Sequence, residues 1–271
     1  EGARSVTRLC EIAAERGLRV DLHCDETDDP NSRHIETLAM ETQRLGLHGR
    51  VAGSHLTSMH SMDNYYVSKL LPLIAESGVA AIANPLINIT LQGRHDSYPK
   101  RRGMTRVPEL LAAGVNVGFG HDCVMDPWYA FGSGDMLEVA HMAVHVAQMT
   151  SQAAIRQCFA AVTTNSAQIL GLEGYGLEPG CHADLVVLQA EDPFHAEGRV
   201  GRASVAGRLE RGIGESCEGQ GQELVVDPGH QASCRWAGGA GHGVLNLPAR
   251  VAVVGSPIAF RRPFRRLPST Q

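Results

Sequence analysis

The sequence predicts an α/β fold, about half of an eight-unit (β/α)8 barrel of the TIM type, on three observations. Short apolar runs ending at polar or Gly/Pro-marked corners alternate with longer stretches of helical period, the pattern of βα units around a parallel sheet. Four such units succeed one another, and their strand ends at His23, His55, Asn84 and Asp122 follow roughly the 30-residue spacing that such a barrel spends on each unit. Residues suited to metal binding or proton transfer fall at those ends, where the loops of a parallel barrel converge.

The first strand, residues 18–23, follows a helical stretch over 5–16 in which Leu9, Ile12 and Ala13 recur on one face. It ends at Cys24-Asp25-Glu26. Asn31 or Ser32 is placed to cap the next helix, whose apolar face is Ile35, Leu38, Ala39 and Leu45, and Gly46 stops it before a second strand over 50–55. Asp63 or Asn64 caps a helix through Val67, Leu70, Leu71 and Ile74, with Gly78 as its stop and a third strand over 79–83. Asn84-Pro85 breaks that strand, a long connection over 91–103 leads to a helix near 105–113, and residues 115–119 form the fourth strand, ending at Gly120-His121-Asp122. A helix over about 134–149 follows, then another from Ser151 towards Leu170, and residues 183–188 read as a strand outside the barrel.

These elements divide the chain into a half-barrel with its following helices over 1–170, a strand of an outer β-sandwich region within 171–190, and a tail over 191–271. The tail is rich in Gly and Arg, lacks periodicity and ends in Arg261-Arg262-Pro263-Phe264-Arg265-Arg266. It reads as irregular, out-of-frame or disordered chain.

A chain of 271 residues with 43% hydrophobic and 20% charged residues can bury a sizeable core. A net charge of -5 gives no electrostatic reason to expect nucleic acid or an anionic membrane. No apolar run reaches the roughly 18 residues of a membrane span. The seven cysteines contain no CxxC pair, which disfavours a disulfide framework or zinc knuckle and points to a reducing cytoplasm. The first residue is Glu1, so the start of the gene product is expected to lie upstream.

His23 with Glu26, then His55, then Asp122 supply two imidazoles and carboxylates from separate strands. That set suits a borderline divalent metal with an additional group to move protons. A lone His at a barrel mouth more often only satisfies a hydrogen bond; recurrence at successive strand ends favours the functional reading. Strand alternation lets Glu26 point into the site only from a turn beyond the strand end. Other features read more blandly. Glu138, His141 and His145 share a helical face, but His141-Met142-Ala143-Val144-His145 lacks the Glu of a zinc-protease helix and reads as packing. Gly132-Ser133-Gly134 reads as a turn, Lys100-Arg101-Arg102 as solvated surface and Cys123 as pocket lining.

The segments Asp21-Leu22-His23-Cys24-Asp25-Glu26, Gly53-Ser54-His55, Ala83-Asn84-Pro85-Leu86-Ile87-Asn88, Leu91-Gln92-Gly93-Arg94, Tyr98-Pro99-Lys100-Arg101-Arg102-Gly103 and Gly120-His121-Asp122 with Asp126-Pro127-Trp128-Tyr129 closely resemble bacterial cytosine deaminases. These are metal-dependent amidohydrolases, and the resemblance runs collinearly over most of residues 1–190. It implies the C-terminal half of an amidohydrolase barrel, with His23 and Asp122 as ligands of one divalent metal, Fe2+ or Zn2+. It further implies Asp122 as proton acceptor, His55 as polariser of the attacking water, Glu26 as proton shuttle to the ring nitrogen, and Trp128, Cys123 and Asn84 around the substrate. The implied chemistry is hydrolytic deamination of cytosine to uracil and ammonia, in a full-length enzyme that is homo-oligomeric.

Three departures from that family stand out. No His-x-His pair occurs in the chain, no counterpart of the family's substrate-binding glutamine precedes His23, and Cys123 follows Asp122 where a second aspartate is usual. Residues after about 191 also do not resemble it. Two other functions therefore stand beside the first: an amidohydrolase acting on another aminated ring, such as an alkylaminotriazine or an isocytosine-like base, and an inactive fragment that needs a complementary half. Half of a closed barrel exposes two sheet edges, so the isolated chain is expected to be unstable or oligomeric.

Overall fold

In a computed structural model of the chain, residues 1–177, 181 and 182 are described, together with strands over 185–188, 205–208, 223–226, 232–238, 241–246 and 252–255. Helix α1 (Gly2–Arg16) buries Val6, Cys10 and Ala13, one face at helical spacing, and stops on Gly17 at φ 66. Strand β1 (Val20–Cys24) follows. Helix α2 (His34–Arg44) buries Ile35, Leu38 and Ala39. Its cap is neither Asn31 nor Ser32: the Asp25 carboxylate reaches over from the end of β1 and accepts the His34 and Ile35 N–H groups at 2.9 and 2.8 Å. A tertiary neighbour has replaced the local cap, and Ser32 instead donates its hydroxyl to the same carboxylate at 2.8 Å.

Strand β2 (Val51–His55) leads through a 3-10 turn (Thr57–Ser61) to α3 (Asn64–Ser77). Here the local reading holds, with Asp63 accepting from the Tyr66 N–H at 2.9 Å and Gly78 ending the helix at φ 68. After β3 (Ala80–Ala83) the chain enters α4 (Pro85–Leu91) directly, a helix hidden in the sequence by its short length and started by Pro at its first position. Helix α5 (Val107–Ala112) and β4 (Val117–Phe119) complete the fourth unit. Helix α6 (Met136–Val146) is capped by Asp135. The single helix expected from Ser151 to Leu170 is two, α7 (Gln152–Ala161) and α8 (Thr164–Leu170), parted where Thr163 takes φ -127 and ψ -98.

The four strands form one parallel sheet in the order β1-β2-β3-β4, with His23 level with Ser54 and Cys24 with His55. Alternate residues divide its faces. Val20, Cys24, Val51, Ala81 and Ala83 join the core beneath α1, α2 and α3, whereas Ala52 and Ala80 meet Ile169 of α8 on the other face. Gly118 allows the close approach there: a Cβ would stand 2.8 Å from Ile169 Cδ1 and would push that side chain aside.

Strand β5 (Leu185–Leu188), expected over 183–188, pairs antiparallel with β6 (Val205–Arg208) and β10 (Ala252–Gly255). Strands β7 (Glu223–Val226), β8 (Ala232–Gly238) and β9 (Gly241–Asn246) form a second antiparallel set. Among the described residues, five short strands thus fall within 191–271. The remaining residues of 191–271 lie outside the described residues.

Candidate active site

The mouth of the sheet is shaped by left-handed backbone at its strand ends. Asp25, His55 and Asp122, just after or at the ends of β1, β2 and β4, have φ of 55, 72 and 64. For non-glycine residues each such conformation costs about 1–3 kcal/mol. These turns break the strand alternation that would otherwise separate the side chains. His55, level with the core residue Cys24, still brings its Nε2 to 3.2 Å from His23 Nδ1. Past Asp25, Glu26 turns back so that its Oε1 stands 3.4 Å from His55 Nδ1. Asp122 Oδ1 lies 4.0 Å from His55 Nε2.

The turn carrying Glu26 is fixed from several sides. The Asp25 side chain is fully buried beneath α2 and also faces His34 Nδ1 at 2.8 Å. The backbone of the following loop closes over it, with the Ser58 N–H and the Thr57 hydroxyl donating to the Asp25 carbonyl. At the end of β2, the His55 carbonyl accepts from the hydroxyl of Thr105, which lies just before α5.

His23, His55 and Asp122 offer ligand atoms all within 4.8 Å of one another. Two imidazoles and a carboxylate are the donor types that divalent zinc or iron prefers, and the separation is small enough for a shared ion after modest side-chain adjustment. His23 and Asp122 therefore fit as ligands of such a metal, with His55 within reach of the same point. Electrostatics divides the roles. Burial pushes His55 down to about 4, against the Asp122 charge, so it is a neutral imidazole at neutral pH. Burial first and the Asp122 charge second push the Glu26 carboxyl up, so it retains a proton more readily than a solvated glutamate.

The three residues expected around the substrate fare differently. Asn84 is buried at 2% exposure and turns towards the imidazole, its Nδ2 lying 3.2 Å from His55 Nδ1 and 3.1 Å from Ser54 Oγ. It supports His55 from behind. Cys123 is buried, its Sγ 3.4 Å from Asp122 Oδ2. Trp128, expected beside the substrate, is 67% exposed on a turn whose carboxylate, Asp126, accepts the Trp128 and Tyr129 N–H groups.

Sequence reasoning missed Asn88, fully buried with its Nδ2 3.0 Å from His55 Nδ1. A polar amide inside the apolar run Pro85-Leu86-Ile87-Asn88-Ile89 was the available clue, since a buried amide must find partners. It also missed Asp25 as the anchor of the Glu26 turn, which only the reach across to α2 reveals.

Comparisons with known proteins place this geometry in context. The amidohydrolase family model matches residues 1–202. A pterin deaminase of Rhizobium rhizogenes is 35% identical over 185 residues, covering 68% of this chain and 42% of the relative. N-isopropylammelide isopropyl amidohydrolase of a Pseudomonas species is 28% identical over 187 residues, 68% of this chain and 43% of the relative. Among solved structures, 5-methylcytosine deaminase of Klebsiella pneumoniae liganded with 5-fluorocytosine matches with a TM-score of 0.72 at 44% identity, over 75% of this chain and 49% of that one. The chain spans about half the length, or less, of these relatives.

Proposed function

The chain belongs to the amidohydrolase family, and on that premise we propose that it carries the metal- and proton-handling part of a hydrolase that deaminates an aminated ring, cytosine to uracil and ammonia. The observation that carries this reading is the grouping of His23, His55 and Asp122 within 4.8 Å, with Glu26 Oε1 3.4 Å from the central imidazole. The 44% identity to a solved 5-methylcytosine deaminase supports a pyrimidine. An alkylaminotriazine is the second reading, favoured by the 28% identity to N-isopropylammelide isopropyl amidohydrolase.

His23 and Asp122 would hold one divalent ion, and imidazole with carboxylate suits Fe2+ and Zn2+ alike. When bound, such an ion supplies Lewis acidity that makes water nucleophilic near neutral pH. Asp122 takes the proton from the attacking water as its oxygen bonds to the carbon bearing the amine. Glu26, whose carboxyl is pushed up by burial and by the Asp122 charge, delivers a proton to the adjacent ring nitrogen and so relieves the charge that develops there. Asp122 then gives its proton to the departing nitrogen as the exocyclic C–N bond breaks, and the new hydroxyl gives its proton to Glu26 as the carbonyl forms, so ammonia leaves and both carboxyl groups return to their starting states. His55 orients the water and stabilises its developing negative charge as a neutral hydrogen-bond donor.

The test is ammonia release from cytosine by the chain reconstituted with Fe2+ or with Zn2+, beside Glu26→Gln and Asp122→Asn. Each substitution removes a proton-transfer group, and each is expected to lower the rate on the order of a hundred- to ten-thousand-fold. Undiminished turnover in either variant would remove that residue's role. Release of amine from a triazine with cytosine untouched would transfer the assignment to the second reading, and no release from any aminated ring would withdraw deamination for this chain.

A further inference from the structure

We infer that Asn88 decides which nitrogen of His55 carries hydrogen, so that His55 faces the site as an Nε2–H donor and not as a metal ligand. The backbone N–H of Asn84 can only donate, and its partner is Asn88 Oδ1 at 3.2 Å. That contact identifies the oxygen of the Asn88 amide, which side-chain shape alone does not distinguish from the nitrogen. The NH2 end must then be the one 3.0 Å from His55 Nδ1. An amide NH2 carries donors only, so Nδ1 is the acceptor, and in a neutral imidazole the single hydrogen lies on Nε2.

The Nε2–H so fixed stands 3.2 Å from His23 Nδ1 and 4.0 Å from Asp122 Oδ1. It thus lies between the two residues assigned to the metal and can donate to an oxygen seated there. The opposing influence is Glu26, whose Oε1 is 3.4 Å from the same Nδ1 and whose carboxylate form would favour hydrogen on that nitrogen. Asn88 is the closer group and is fully buried on α4. Asn84 Nδ2, 3.2 Å from Nδ1 and 3.5 Å from Nε2, lies against the ring and does not choose between its nitrogens, so the choice falls to Asn88. Rotating the Asn88 amide to oblige Glu26 would set its NH2 against the Asn84 N–H, leaving two buried donors face to face, an arrangement costing about 1–3 kcal/mol per unsatisfied group. Asn88 is therefore a positioning residue that acts through His55; the tautomer stands on the hydrogen-bond geometry, and only the use made of the donor rests on the proposed deamination.

Long-range proton–nitrogen correlation spectra of the histidine rings read the tautomer directly, with His55 identified by the signal that vanishes in His55→Gln. The unmodified chain should show hydrogen on Nε2. An Nδ1–H pattern there would overturn the inference without any variant being made, so the test survives a variant that fails to fold. In Asn88→Asp, which presents an acceptor to Nδ1, hydrogen should appear on Nδ1; an unchanged Nε2–H pattern in a folded variant would show that Asn88 does not set it. Addition of Zn2+ should shift the His23 ring nitrogens and leave the His55 Nε2–H signal in place. A coordination shift at His55 Nε2 would overturn the donor assignment. None of these readouts involves turnover, so a chain that failed to deaminate cytosine while showing the Nε2–H pattern would refute the proposed reaction and leave this inference standing.

Discussion

Cys123 lies against Asp122, and burial, then its hydrogen bond with Asp126, push its thiol up to about 12. It is uncharged at neutral pH, so it lines the site without acting as a nucleophile. Two residues before Asp122, Gly120 shows how little room the site leaves. A Cβ there would sit 2.2 Å from Asn84 Oδ1 and 3.3 Å from Ile82 Cγ2. Gly120→Ala must therefore displace the Asn84 amide from Ser54 and His55. A stability loss of about 1–3 kcal/mol is expected from such overpacking, read as a lowered denaturant midpoint; an unchanged midpoint would mean the amide can move freely.

At the scale of elements, contacts between units do what local sequence does not. Helix α2 begins on a carboxylate from the end of β1. Asp25→Ala would leave the His34 and Ile35 N–H groups without that acceptor and loosen the turn that aims Glu26. The expected cost is about 1–3 kcal/mol, with Asp25→Asn losing less because one acceptor oxygen remains; equal midpoints for all three proteins would show that the cap is dispensable. The connection after α4 is pinned similarly. Asp28 accepts the Gly93 N–H at 2.9 Å and faces His60 Nε2 at 2.8 Å, while Asp96 takes the Arg101 guanidinium at 2.6 Å. Burial lowers the His60 pKa despite Asp28 and Asp96, with Arg101 acting in the same direction as burial. The unfolded chain then binds this proton more readily than the folded one. Stability from His60 is present above the unfolded value of 6.5 and declines as pH falls from there towards the depressed folded value. His55, lowered to about 4, adds to the same trend. The denaturant midpoint should fall between pH 7 and pH 5, and His60→Gln should flatten part of that fall; an identical slope in the variant would exclude His60 as a source.

For the molecule as a whole, the parallel sheet has β1 and β4 at its edges among the described residues, and each has a strand partner on one side only. Small side chains, Ala52 and Ala80, line the face met by Ile169. Among the described residues no helix is long and apolar enough to cross a membrane. Unpaired strand edges template further pairing, so we expect the isolated chain to sediment as an oligomer. A sharp monomer with a cooperative melt would show that the edges are adequately covered within one chain.

The four βα units, the strand ends at His23, His55 and Asp122, and the caps at Asp63 and Gly78 were legible in the sequence. Each is set by neighbours in the chain: apolar periodicity for the units, side-chain chemistry for the Asp63 cap, and backbone freedom for the stop at Gly78. The resemblance carried by Asp21-Leu22-His23-Cys24-Asp25-Glu26 and its companion motifs pointed to the family that the match over 1–202 shows. Only the tertiary structure placed Asp25 as the cap of α2, split α7 from α8 at Thr163, left Trp128 exposed and set Asn88 against His55. The physical reason is common to all four. Propensity and periodicity report the preferences of a few adjacent residues, whereas the partner of a buried carboxylate, amide or imidazole is chosen by whichever distant segment packing brings within hydrogen-bond reach.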